Sequence, residues 1–242
     1  MSYCINPKCL KPADPLNADS LSCHHCGSNL ILQNRYRVKK LLGEGGFGKT
    51  YEVDDCAERT LRERGTPKIL KLLLLNDVQA IALFQQEARV LSQLHHPGLP
   101  RVEPNGYFTF LPTGRHQPLH CLVMEKIEGV NLEDWLRQQE NQPISQAQAL
   151  SWLKQLVEIL HQVHQQLYFH RDIKPSNIML ASNGQLVLID FGSAREVSHS
   201  YLVKVSGDRN ITGIISPGYT PIEQVRGKAV PQSDFFALGR TF

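Results

Sequence analysis

The hydrophobic pattern of this chain changes period several times, and each change predicts an element. In "YRVKKLLGEGGFGKTYEV" (36–53) two runs of mixed apolar and polar residues flank a glycine cluster, predicting strand, turn, strand. "PKILKLLLL" (67–75) is an apolar run interrupted by Lys71, the pattern of a buried strand. Asn76 or Asp77 then caps a helix in which Ala80, Phe84, Leu91 and Leu94 share one face with Glu87. Ser145 and Gln148 form a capping box before a long helix with an expected buried stripe of Leu153, Leu156, Val157, Leu160 and Leu167. Trp135 and Leu136, in a short helix after Asn131, are expected in the core. Farther on, "IML" and "LVLID" flank Ser182-Asn183-Gly184, a strong hairpin signal. A two-residue turn centred on Asn183-Gly184 sets Asn177 opposite Asp190. "QSDFFALGRTF" (232–242) opens a helix at Ser233 and Asp234, with exposed apolar surface expected at Phe235, Phe236 and Leu238.

Composition narrows the class without deciding it. The 242 residues are 41% hydrophobic and 20% charged, an ordinary globular balance with room for a proper core. A net charge of +3 and the absence of long single-sign runs argue against a nucleic-acid or membrane-surface role. The longest apolar run, "AIALF" (80–84), is five residues, so no membrane segment is expected. "MSYCINPKC" has neither a basic nor an apolar leader region. A cytoplasmic, reducing location is therefore expected, where six cysteines read as thiols or metal ligands.

Four of those cysteines crowd the first 26 residues: Cys4, Cys9, Cys23 and Cys26. The C-x4-C and C-x2-C-G pairs suit tetrahedral Zn²⁺, each pair supplying two thiolates from one tight turn. Gly27 permits the positive φ such knuckles use. Few apolar residues surround them, so a crosslink is what would hold the segment together. A redox-active dithiol and a flexible tail are the competing readings, and His24 or His25 could replace one cysteine. Lys8 and Lys11 are the segment's only fixed positive charges, too few for a nucleic-acid surface. Cys56 and Cys121 read as ordinary thiols.

Other chemistry follows the predicted elements. Gly43, Gly45 and Gly48 make G-x-G-x-x-G, which lets backbone N–H groups approach a polyphosphate; a ligand-free glycine hairpin has the same pattern. A strand follows where a dinucleotide-binding fold would place a helix, excluding that fold. Lys71 in a core strand needs an anion, and Glu87 on the inner face of the next helix is the candidate; snorkelling to water is the alternative. Asn177 and Asp190 supply two oxygen ligands for Mg²⁺, and Asp172 beside Lys174 can accept a hydroxyl proton.

Together these features resemble the eukaryotic-type bacterial serine/threonine protein kinases: glycine loop, strand lysine, helix glutamate, H-R-D-I-K-P-S-N (170–177) and D-F-G (190–192), in that order. The front cysteine module joined to such a domain is similar to the serine/threonine-protein kinase B type of cyanobacteria. The resemblance implies an α+β, two-lobed protein kinase fold over 33–242, with a β-rich N-lobe (about 33–126) and a mainly helical C-lobe (about 127–242). A small cysteine-rich, zinc-ribbon-like module would precede it at 1–32.

It also implies roles. ATP would lie against Gly43, Glu44, Gly45, Gly46, Phe47 and Gly48, with Met124 behind the base and Glu125, Lys126 and Ile127 as the hinge. Lys71 would hold phosphates and pair with Glu87; Asn177 and Asp190 would bind Mg²⁺ (or Mn²⁺); Asp172 would be the base. Lys174 marks the serine/threonine version. His170 and Phe191 would be internal struts, and Arg171 could grip a phosphate on Ser198, Ser200, Ser206 or Thr212. Thr50, Ile215, Ser216 and Ile222 depart from the family pattern without removing a catalytic group.

In the family Asp234 opens a central helix and binds the H-R-D backbone, and Glu223 pairs with an arginine beyond this sequence. A full domain runs about 250–270 residues, against 207 from 36 to 242, so a C-terminally truncated kinase is expected. The function expected is ATP-dependent phosphorylation of protein Ser/Thr hydroxyls, itself included, in bacterial signalling. For that activity the residual helix suffices or a partner covers the open end of the lower lobe; the alternative is a catalytically impaired nucleotide- or zinc-binding interaction module whose apolar underside is uncovered.

Overall fold

Strand alternation and tight glycine turns build one antiparallel sheet. Its strands are β1 (Ile31–Leu32), β2 (Tyr36–Glu44), β3 (Gly48–Asp55), β4 (Thr66–Leu73), β5 (Tyr107–Phe110) and β6 (Leu119–Glu125), in the order β1-β2-β3-β4-β6-β5. The computed structural model describes residues 2–45, 48–56, 65–103, 105–196 and 215–242. They fall into two compact units, Met1–Ala88 with Arg101–Lys126, and Arg89–Pro100 with Ile127–Phe242.

In the first unit, alternate residues of β2, β3 and β4 point to one face, where Tyr36, Val38, Tyr51, Val53, Leu70 and Leu72 form a closed apolar cluster. Lys71, between Leu70 and Leu72, therefore points to the opposite face. Two register shifts in β2, at Val38/Lys40 and Leu41/Gly43, bend the strand as it enters the glycine loop. Helix α1 (Val78–Gln93) starts at Asp77, whose carboxylate accepts from the N–H groups of Gln79 (3.0 Å) and Ala80 (2.9 Å). Its inner face buries Phe84, Glu87 and Leu91, as the spacing predicts.

The cysteine segment is part of this unit. A 3-10 turn at Pro15–Asn17 follows Asp14, and Gly27 at φ 72° closes the second knuckle, its N–H donating to Cys23 O at 2.8 Å.

The second unit contains β7 (Gly129–Asn131), α2 (Leu132–Gln138), α3 (Gln146–Gln165), β8 (Tyr168–Phe169), β9 (Ile178–Ala181), β10 (Leu186–Leu188), β11 (Arg195–Glu196), α4 (Ile222–Val225) and α5 (Gln232–Thr241). The strands make a three-stranded sheet, β10-β9-β7, and a two-stranded one, β11-β8. Asn131 caps α2 and Ser145 caps α3, the latter accepting from Gln148 N at 3.2 Å. Trp135 is half-buried and meets Trp152 edge-on, with ring centroids 5.1 Å apart.

Three sequence expectations need correction. The buried face of α3 is Trp152, Leu156, Ile159, Leu160 and Val163, whereas Val157 and Leu167 are exposed. Val157 sits about 100° around the helix from Leu156, and Leu167 lies beyond the helix end at φ 62°. Leu238 is buried, because α5 turns Asp234, Ala237 and Leu238 inward and leaves only Phe235 and Phe236 of the expected patch in solvent.

The third correction is the hairpin register. β9 and β10 pair Leu180 with Leu186 and Ile178 with Leu188, one residue off the expected alignment. The loop holds three residues, Ser182 to Gly184, with Gly184 at φ 83°; Gly184 N donates to Ala181 O, and Ala181 N to Gln185 O. Asn177 thus faces Ile189, whose N–H it accepts at 2.9 Å, and Asp190 lies past the ladder.

The glycine loop gives a stability test. A Cβ on Gly48 would lie 2.0 Å from Leu72 O on β4, whereas one on Gly45 would meet none of the described residues within 4 Å. Gly48→Ala should cost about 1–3 kcal/mol, read as a lower urea midpoint, and Gly45→Ala should leave the midpoint unchanged.

Candidate active site

In the first unit the site residues gather on the open face of the sheet. Lys71, on β4, is paired in register with Thr50 of β3 and Leu122 of β6. Its Nζ contacts Glu87 Oε1 at 2.5 Å, and Glu87 is almost wholly buried. The expected ion pair is present: helix α1 carries the acid to a lysine that strand alternation turned out of the core. Gly43 and Gly45 have open space where a side chain would be, and Gly45 N donates to Gly48 O at 2.9 Å to close the loop. Glu44 is exposed at the end of β2; Gly46 and Phe47 lie outside the described residues.

Met124 is buried on β6, opposite Ile69. Glu125 ends the strand, its N–H donating to Arg101 O at 2.8 Å and its carboxylate accepting from Arg101 N at 3.1 Å. Its N–H is therefore already engaged within the protein. Ile127 is the first residue of the second unit's longer segment.

In the second unit everything hangs on the loop between β8 and β9. Arg171 adopts φ 70°, a conformation costly for a side chain with a Cβ. Asp234, in the first turn of α5, fixes it: Oδ2 accepts from His170 N and Oδ1 from Arg171 N, both at 2.8 Å. His164, from α3, adds a third bond at 2.8 Å from Nε2 to Asp234 Oδ2. Gln224 of α4 donates to Arg171 O at 2.7 Å.

The buried His170 ring meets Phe191 edge-on at 4.6 Å. Its Nδ1 accepts from Asp172 N (3.3 Å) and its Nε2 faces Ile189 O (3.1 Å), which assigns the neutral tautomer with the proton on Nε2. Burial holds this imidazole below its ordinary pKa, in keeping with a neutral strut.

Asp172 accepts three side-chain bonds. Oδ2 accepts from Lys174 Nζ (2.8 Å) and Asn177 Nδ2 (3.0 Å), and Oδ1 accepts from Ser216 Oγ (2.6 Å). Asn177 Nδ2 also donates to Asp172 O at 2.8 Å. Both partners are acceptors, so the amide nitrogen must face them and the amide oxygen points the other way. Asp190 sits at φ 66°, ψ 72°, where the left-handed backbone turns the chain out of the strand direction after β10. Asn177 Oδ1 and the Asp190 carboxylate are hard oxygen donors of the kind Mg²⁺ takes, so this donor set fits the ion.

A second cluster lies in the first unit. The Sγ atoms of Cys4, Cys9, Cys23 and Cys26 all fall within 4.8 Å of one another. Cys4–Cys26 is 3.5 Å and Cys9–Cys23 is 3.7 Å. A tetrahedron with zinc–sulfur bonds of about 2.3 Å has edges of about 3.8 Å, so the spacing fits. Amide N–H groups approach two of the sulfurs, Asn6 Nδ2 to Cys26 (3.6 Å) and Asn17 Nδ2 to Cys23 (3.7 Å), supporting thiolate charge from outside. Burial pushes the Cys4 and Cys9 thiols up. At Cys26 burial acts the same way, but hydrogen bonds with Ser28, Cys4 and Cys23 together outweigh it and bring the thiol down to about 7. His24 and His25 are exposed and outside the cluster.

Sequence reasoning missed His164 and Gln224. The one signal for His164 was a histidine on the inward side of α3, six residues before His170, and inward histidines are usually plain packing. Arg171 is buried; the serines and threonine expected to meet it through a phosphate lie outside the described residues.

Comparison with known proteins agrees with this geometry. The model of the protein kinase domain matches residues 36–242. The chain belongs to the protein kinase domain family. It is 33% identical over 255 residues to serine/threonine-protein kinase B of Synechocystis sp., covering 100% of this chain and 41% of that protein. It is 36% identical over 229 residues to serine/threonine-protein kinase F of the same organism (90% and 45%). With serine/threonine-protein kinase PknA of Nostoc sp. it shares 35% over 224 residues (87% and 36%). The chain thus spans less than half the length of these relatives.

Within the kinase domain, Asp234→Ala should strand two buried backbone N–H groups, His170 and Arg171. The expected loss is on the order of 3 kcal/mol, read from chemical unfolding of the variant beside the native chain.

Proposed function

We propose that this chain is a serine/threonine protein kinase that transfers the γ-phosphoryl group of ATP to Ser/Thr hydroxyls of proteins, its own included. One observation carries the reading: Asp172 already accepts a hydroxyl proton donor, Ser216 Oγ, on Oδ1 at 2.6 Å, while Lys174 and Asn177 hold Oδ2. A substrate hydroxyl needs an acceptor of this kind. Its proton goes to the Asp172 carboxylate as its oxygen bonds to the γ-phosphorus, and ADP leaves with the bridging oxygen.

The first unit supplies nucleotide binding. Lys71, oriented by Glu87, meets phosphate oxygens, and the backbone at Gly43, Glu44, Gly45 and Gly48, with Gly46 and Phe47, covers them. Met124, Glu125 and Ile127 meet the base. Mg²⁺ or Mn²⁺, held by Asn177 Oδ1 and the Asp190 carboxylate, would neutralise phosphate charge. Lys174 offsets the charge of the moving group and favours Ser/Thr substrates. Residues 1–32 act as a zinc-binding module and 33–242 as the kinase domain, with Zn²⁺ on the four cysteine thiolates. Among the described residues no helix is long and apolar enough to cross a membrane, and the cytoplasm, where ATP and reduced thiols are available, is the location this chemistry favours.

Transfer of label from ATP with Mg²⁺ to the chain itself and to a basic protein tests the reading. The native chain should transfer, Asp172→Asn should fall by about 10²–10⁴-fold, and Lys71→Met should lose transfer. A folded native chain without transfer would overturn the reading and leave a nucleotide- and zinc-binding module.

A further inference from the structure

The four-cysteine segment is tied into the core of the sheet through the two neighbours of one ligand. Ile5, directly after Cys4, is buried in the same apolar cluster as Tyr51, Val53 and Leu70. Tyr3, directly before Cys4, donates its N–H to Val38 O at 2.9 Å and sets its ring 5.6 Å from that of Tyr51. Tyr51 lies on β3, paired with Leu41 of β2 and Leu70 of β4. Tyr3 and Ile5 thus form a wedge against β2 and β3, the two strands that carry Gly43 and Gly48.

The far side of the cluster is fastened to the same unit. Asn6 Nδ2, beside Cys26 Sγ, also donates to Ser28 Oγ (3.0 Å) and Thr113 O (3.1 Å). Arg37 of β2 donates to Ser2 Oγ (2.7 Å) and Ser20 O (3.2 Å). Between Cys9 and Cys23 the segment has little apolar surface to hold itself in place, since Leu10, Leu16 and Leu21 are all exposed. Whatever fixes Cys4 therefore fixes the Tyr3–Ile5 wedge.

We propose that occupancy of the four-cysteine site by zinc sets the nucleotide affinity of the glycine loop. This rests on the zinc reading above. With the metal bound, Cys4 is anchored to Cys9, Cys23 and Cys26, and the wedge holds Tyr51 and the strands flanking the loop. With the metal gone, the wedge leaves the cluster part of the time, and the fraction of molecules with β2 and β3 in the binding-competent arrangement falls with the observed affinity.

The full chain decides this by two measurements on the same samples: zinc per chain, released by a thiol-blocking mercurial, and the Kd of a fluorescent ATP analogue with Mg²⁺. The native chain should carry one zinc. Cys4→Ser/Cys26→Ser should carry none and bind the analogue more weakly by about fivefold or more. Ile5→Ala and the milder Tyr3→Ala leave all four thiolates in place, so they should keep their zinc and still bind the analogue more weakly. Zinc-loaded Ile5→Ala and Tyr3→Ala with native affinity would overturn the coupling and leave the zinc site standing. A native chain without zinc would overturn both. If the cysteine variant does not fold, the Ile5 and Tyr3 variants decide alone.

Discussion

The carboxylate of Asp234 is the fixed point of the second unit. It is fully buried and accepts from His164 Nε2, His170 N and Arg171 N. A buried anion without such donors would be too costly to keep; with them it is a strong, directional anchor. Its place in the first turn of α5 adds the favourable end of the helix dipole. The loop it holds contains Arg171 at φ 70°, which would relax without the pin. Asp172, Lys174 and Asn177 follow within six residues, so the geometry of the candidate base inherits the precision of that carboxylate.

In the first unit a different constraint operates. Lys71 and Glu87 are each awkward in their own element, a lysine in a core strand and an acid on the inner face of a helix. Their mutual contact removes the awkwardness of both, and it fixes how α1 meets the sheet. The glycines beside them divide by cause. Gly48 is glycine because β4 passes too close for a Cβ, whereas Gly43 and Gly45 have no neighbour demanding it among the described residues. Absence of side chains without a packing reason is what a loop that admits a polyphosphate to its backbone requires.

Much of this was legible in the sequence because chemistry restricts residue type at each position. Lysine in an apolar run, glutamate in an apolar stripe, and H-R-D-x-K-P-x-N before D-F-G leave few other readings. What was not legible depends on three-dimensional detail. Val157 was placed on the buried stripe of α3 because the apolar residues there span more than one face, and only the packed partner decides which side is in. The burial of Leu238 has no signal in the sequence, because nothing local says what lies beneath α5. The insertion of Ile5 into the sheet core joins residues far apart in the chain, and no local pattern announces it.

The hairpin shows how a one-residue shift in register separates two residues that the sequence pattern pairs. Had the turn held two residues, the pleat would have set Asn177 and Asp190 side by side as a cross-strand pair. The three-residue loop ending in Gly184 shifts the ladder, and Asn177 faces Ile189 instead. Asp190 is aimed by its own left-handed backbone, which costs about 1–2 kcal/mol and persists only if its surroundings enforce it. Those surroundings include Ile189, held by Asn177 O and facing His170 Nε2, and Phe191, buried against the His170 ring. His170 is in turn held through its backbone by Asp234. The backbone at Asp190 is thus linked through Ile189 and His170 to the same buried anchor that holds the loop before Asp172.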